Sequence, residues 1–147
     1  MGSSSLGALR AVELKKFGMI GIGKIFSLFF KGVLDADDEV AVTFTGYSEY
    51  KSDALIDIRY NLFLALKNKI IDEKTKKNIL QISKKTYFPY RTYKDIIDKS
   101  KMMFPDQKKQ IEDFGEYLVK YKKSLKEEDA IKLLINIKGL TNDINTN

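Results

Sequence analysis

The 147-residue chain has no cysteine, no histidine and no tryptophan, and only two prolines. Without cysteine there is no disulfide framework, zinc ribbon, iron–sulfur site or persulfide carried on the chain. Without histidine the usual general base near neutral pH is missing, and so is the imidazole of a Ser-His-Asp triad. Chemistry must then rest on Asp, Glu, Ser, Arg, Lys, Tyr or backbone amides. Long apolar runs are missing too. The most apolar stretch, Met19–Leu34, is interrupted by Lys24, Lys31 and three glycines, and is shorter than the ~20 apolar residues of a spanning helix. No secretory leader pattern is visible. These absences predict a soluble, cytoplasmic chain with no membrane partner and no metal or cofactor.

Hydrophobic residues make up 44% of the chain and aromatics 12%, enough for a buried core. The net charge of +6 is unevenly spread. Residues 1–66 carry 7 basic and 8 acidic side chains, and residues 67–147 carry 19 and 12. A basic half can meet nucleic acid or an acidic surface. Its lysines, however, interleave with acids at helical spacing, the pattern of a solvated helix surface, and no nucleic-acid partner is expected.

Few prolines and many Lys, Glu, Leu and Ile predict helices. The first is expected from about Leu6 to Phe17, with Ser4 or Ser5 capping its N–H groups and Leu6, Leu9, Val12 and Phe17 forming its apolar stripe. Gly18 is expected as its left-handed end. A second helix spans about 23–31. Val40–Phe44 reads either as a short strand or as a helix capped by Asp37 or Asp38, and 46–51 as loop. Further helices are expected at about 53–69, 73–85, 92–102, 107–124 and 127–138, with Pro89 and Pro105 in the gaps. A loop of small residues feeding a helix normally follows a β-strand, yet no strand pattern precedes Gly2–Gly7.

Gly18-Met19-Ile20-Gly21-Ile22-Gly23-Lys24 matches seven positions of a phosphate-binding P-loop, but Ile25 stands where Ser or Thr must hold Mg²⁺. Close packing at glycines is the better reading. Gly2-Ser3-Ser4-Ser5-Leu6-Gly7 is a more promising anion site, with hydroxyls, backbone N–H groups and a helix N-terminus together. Arg10 and Glu13, three apart, share a face beside it, as a surface ion pair or as site residues. Asp37-Asp38-Glu39 can hold a cation or a base, or be solvated.

Five ordered blocks carry a resemblance. Ser4–Leu14 (SSLGALRAVEL) is similar to the SSMGALRAAEL signature of the TfuA-like family. Phe17–Phe26, Asp37–Val42, Ser52–Leu62 with Asp57-Ile58-Arg59, and Tyr87–Thr92 with Arg91 resemble its next four blocks. The family's N-terminal α/β part has no counterpart, so a truncated or split chain is expected. The implied fold is mainly α: the helical C-terminal portion of an α/β domain, with one short strand near 40–44. The implied organisation is a core at 2–97, a helical extension at 98–140 and a disordered tail at 141–147.

The resemblance implies an accessory role beside a YcaO-type enzyme in peptide backbone thioamidation. The chain would help release or deliver sulfide from a thiocarboxylated, ubiquitin-like sulfur carrier, with a precursor peptide as the final acceptor. Releasing sulfide is acyl transfer to water, which needs oxyanion donors and a carboxylate base rather than cysteine. Ser4, Ser5 and Gly7, with Arg91, are the expected anion-binding residues. Arg10 and Arg59 would steady developing charge, and Glu13 or Asp38 would orient water. The two arginines are expected to share one polar cleft with Ser4, Glu13 and Asp38; alternatively, Arg59 pairs with Asp57 or Glu49 and pins helices. A non-catalytic helical adaptor or relic that docks onto a partner is the competing reading.

Overall fold

A computed structural model describes residues 1–46 and 49–145. It is mainly α and divides into two compact units, 1–40 with 124–147 and 41–123. The expected boundary near residue 98 falls inside a helix, Tyr93–Met103.

The first unit holds α1 (Ser5–Glu13), α2 (Lys24–Phe30) and the last helix, α7 (Leu125–Asn145). Gly2 and Gly21 form a parallel bridge. The Gly2 N–H donates to the Ile20 carbonyl at 2.8 Å, and its own carbonyl accepts from the Ile22 N–H at 2.9 Å. Helix α1 therefore crosses between two extended segments paired in parallel, and the small-residue loop does follow extended chain. One bridged residue has no alternation to reveal it in the sequence.

The buried face of α1 is Ala8 and Ala11, not the expected stripe, since Leu6 and Phe17 are exposed. Close approach explains the difference. A Cβ on Gly2 would lie 2.9 Å from that of Ala11 and 2.2 Å from the Gly7 carbonyl oxygen, so only small side chains fit between strand and helix. After Glu13 the chain tightens into a 3-10 turn, Lys15–Phe17, ended by Gly18 at φ 90°, as expected. A further 3-10 turn, Asp37–Glu39, buries Glu39 and Val40.

Helix α7 belongs to this unit through three buried contacts. Ser3 Oγ donates to the Asp129 carbonyl at 2.8 Å, the Ile25 N–H donates to Asp129 Oδ2 at 2.7 Å, and Lys126 Nζ donates to the Val40 carbonyl at 2.9 Å. The helix continues to Asn145, through most of the segment expected to be a disordered tail; residues 146 and 147 lie outside the described residues.

The second unit opens with an antiparallel pair, β1 (Phe44–Thr45) and β2 (Glu49–Tyr50), in register Phe44 to Tyr50. The chain at 40–44 is thus neither full strand nor helix, and the expected loop contains β2. Helices α3 (Leu55–Lys67), α4 (Glu73–Lys85), α5 (Tyr93–Met103) and α6 (Lys108–Tyr121) follow, each packed on the next. Ile58, Leu62, Ile79, Ile82, Ile96, Ile111, Phe114 and Leu118 form their shared core. Caps set two of the starts. The Asp72 carboxylate accepts the Thr75 N–H at 2.7 Å, and the Thr92 hydroxyl accepts the Asp95 N–H at 3.2 Å.

Polar groups pin the ends of these helices. Asn61, fully buried, donates to the Lys123 carbonyl at 2.7 Å and accepts the Lys123 N–H at 2.9 Å, a two-point clamp on the chain leaving α6. Asp53 accepts the Tyr93 N–H at 3.0 Å with one carboxylate oxygen and meets Lys122 Nζ at 2.9 Å with the other. No helix among the described residues is long and apolar enough to cross a membrane.

Candidate functional site

The structure gathers six of the eight expected site residues in the first unit: Ser4, Ser5, Gly7, Arg10, Glu13 and Asp38. Arg59 and Arg91 belong to the second.

The centre of the site is the turn from extended Gly2 into α1. Ser4 has φ 51° and ψ 156°, and Ser5 has φ 41°. Such angles are unfavourable for any residue with a Cβ, and each costs of order 1–3 kcal/mol. They persist here because the chain entering the turn is fixed. Gly2 is held by its two bridge hydrogen bonds, and Ser3 is buried with its hydroxyl on the Asp129 carbonyl. The expected cap does not form: Ser4 stands at the N-cap but its side chain accepts no helix N–H. The leading N–H groups of α1 have no acceptor within the helix, and no side-chain cap from Ser4 meets them. Ser4, Ser5 and Gly7 are each half-buried.

One turn on, Arg10 and Glu13 join by a 2.6 Å contact from guanidinium to carboxylate, both exposed on α1. Their one-turn spacing, visible in the sequence, gives this pair its geometry. Asp38 is half-buried in the 3-10 turn Asp37–Glu39.

In the second unit Arg59 is half-buried on α3 between fully buried Ile58 and Leu62, and the side chain of Glu49 lies outside the described residues. Arg91 is 1% exposed, its Nε donating to the carbonyls of Ser83 at 3.1 Å and Thr86 at 3.2 Å. Those bonds anchor the end of α4, where the helix leaves carbonyls without internal partners. Among the described residues no cluster of three acidic, histidine or cysteine side chains is placed to hold a metal.

Sequence reasoning missed the residues that shape the site from afar. Lys126 and Asp129 hold the loop through Ser3, the end of the acidic turn through Val40, and the start of α2, across up to 126 positions of sequence. Asp129 also explains the P-loop-like glycines. A Cβ on Gly23, at φ +100°, would lie 2.3 Å from the Asp129 Cγ, and one on Gly21 would strike the Phe26 ring. The start of α2 is thus filled by the chain's own carboxylate, and the glycines serve close packing.

No curated protein sequence matches the chain. Residues 1–92 do match a family, that of the TfuA-like protein, from the turn before α1 through to Thr92 at the cap of α5. The match takes in more than half of the 147 residues, and the chain belongs to the TfuA-like family.

Proposed function

We propose that the chain is a TfuA-type accessory protein that works with a YcaO-type enzyme in peptide backbone thioamidation, promoting release of sulfide from a thiocarboxylated sulfur carrier. Family membership supports the accessory role. The strained, uncapped serine turn at the head of α1 is the observation that supports the chemistry.

The reaction adds water to a thiocarboxylate carbon. A C–O bond forms, the C–S bond breaks, and the products are a carboxylate and hydrogen sulfide. Charge moves onto the carbonyl oxygen in the tetrahedral transition state, and donors held in advance at that point lower the barrier. The leading amides of α1 and the hydroxyls of Ser4 and Ser5 are such donors. Glu13 orients the water and takes its proton. Arg10, hydrogen-bonded to Glu13, fixes the position of that carboxylate and faces the incoming anion. Asp38, in the same unit, is the alternative carboxylate for this role. The ubiquitin-like carrier supplies the thiocarboxylate, and the YcaO enzyme, acting on the precursor peptide, consumes the sulfide.

The test is sulfide production from a thiocarboxylated ubiquitin-like carrier, measured with and without the full chain. Release above the carrier's own rate is expected, falling at least about tenfold in Glu13→Gln, since general-base catalysis contributes about 10²–10⁴-fold. Sulfide at background would favour the adaptor reading, which the exposure of Arg10 and Glu13 also suits. In that case the chain should still bind the YcaO enzyme.

A further inference from the structure

Helix α7 has two faces. One is committed to the first unit through Leu125, Lys126 and Asp129, all buried. The opposite face carries Glu127, Ile131, Leu134 and Lys138, spaced four, three and four residues apart. That is the spacing that places side chains in a single seam on a helix able to pair with another. Ile131 is 57% exposed and Leu134 65%, with Ile135 beside them equally exposed. Three large aliphatic side chains on one helical face exceed the scattered apolar exposure of an ordinary surface.

The charges at the two ends of the seam choose what covers it. A partner helix lying antiparallel, related by a two-fold axis between Ile131 and Leu134, sets Glu127 against Lys138 at both ends and Ile131 against Leu134 in the middle. A parallel copy would set Glu127 against Glu127 and Lys138 against Lys138, which repels at both ends. The seam is therefore complementary to itself in one orientation. We infer that α7 is a homodimerisation helix, pairing antiparallel with α7 of a second copy through Ile131 and Leu134, with Glu127 and Lys138 setting the direction. A two-fold contact of this kind is closed and self-complementary, so association stops at the dimer. About three turns of helix is a small interface, so the dimer is weak and concentration-dependent.

Sedimentation of the full chain across a concentration series tests this. A monomer–dimer equilibrium is expected, with mass rising to twice the 16.9 kDa of the chain and no further. Leu134→Lys should abolish the dimer while the helical circular dichroism is unchanged. Glu127→Lys and Lys138→Glu should each weaken dimerisation about tenfold, since each swap replaces two attractive contacts by two repulsive ones. Combined in one chain, the two swaps should restore it. A chain that stays monomeric at the highest concentration overturns the inference and leaves the seam to another protein. So would a dimer that neither Leu134→Lys nor the single charge swaps disturb, or a double swap no tighter than the single ones.

Discussion

The carboxylate of Asp129 accepts a hydrogen bond from the backbone N–H of Ile25 at 2.7 Å, 104 positions away in the sequence. The contact ties α7 to the start of α2, and Asp129 is fully buried with Lys132 Nζ at 3.4 Å from its other oxygen. Asp129→Ala leaves the Ile25 amide buried without an acceptor. The expected cost is about 1–3 kcal/mol, read from chemical denaturation followed by circular dichroism. A midpoint equal to that of the parent would show that the amide is rehydrated without penalty.

Two glycine substitutions should move stability in opposite directions. Gly23→Ala puts a Cβ into the Asp129 carboxyl at a positive φ, and the backbone strain alone costs about 1–3 kcal/mol. Gly115 lies inside α6, where an added Cβ would touch Ile97 Cδ1 at an ordinary 3.4 Å. Gly115→Ala should therefore stabilise by about 0.5–1 kcal/mol, because it removes chain entropy from the unfolded state. Thermal melts of the two variants side by side decide the matter.

Arg91 offers a direct contrast between a structural and an anion-binding role. Its Nε is shared between two carbonyls at the end of α4, and its side chain is buried. Arg91→Ala should lower stability by at least about 2 kcal/mol, because it strips charged donors from buried carbonyls. If Arg91 instead binds the thiocarboxylate, sulfide release would fall while the unfolding midpoint stayed fixed.

Acid should reveal the α4 cap. The Thr75 backbone N–H, then the Gln110 side chain, hold the Asp72 carboxyl below the usual carboxylate range. A group depressed on folding contributes stability above its unfolded pKa and loses it as pH falls through the folded value. Asp72→Ala should thus melt below the parent at neutral pH, and the gap should close as pH drops past the carboxylate range. Alkali acts on Tyr93, whose phenol burial, then the charges of Asp53 and Asp57, push well above the usual tyrosine value. The neutral phenol is favoured on folding, so stability should fall as pH rises beyond the ordinary tyrosine range. Absorbance titration should show one of the eight tyrosines ionising only as the fold is lost.

Local signals carried much of the architecture. Helix α4 runs Glu73–Lys85, as expected, and Gly18 ends the turn after α1 in the left-handed region. The Arg10–Glu13 pair follows from a three-residue step on a helix. What stayed hidden depends on distant chain. A single Gly2–Gly21 bridge has no periodicity, and nothing local to Ser4 announces a positive φ. The Asp129 and Lys126 contacts join segments 86 to 126 positions apart. In the sequence Arg91 reads as an anion-binding residue, and nothing local to it announces the carbonyls ending α4 that its Nε meets.

The placement of α7 in the first unit sets an order of events during synthesis. Residues 41–123 are one continuous stretch, and their helices pack neighbour on neighbour, so this unit has what it needs once Lys123 has left the ribosome. The first unit is begun earlier but lacks Lys126 and Asp129 until residues 41–123 have been made. Contacts between distant segments form late because loop closure must come first. Residues 1–40 are thus made before residues 41–123 and settle after them. Until then Gly2–Val40 lacks the helix that locks it, which leaves this stretch open to chaperones on the nascent chain.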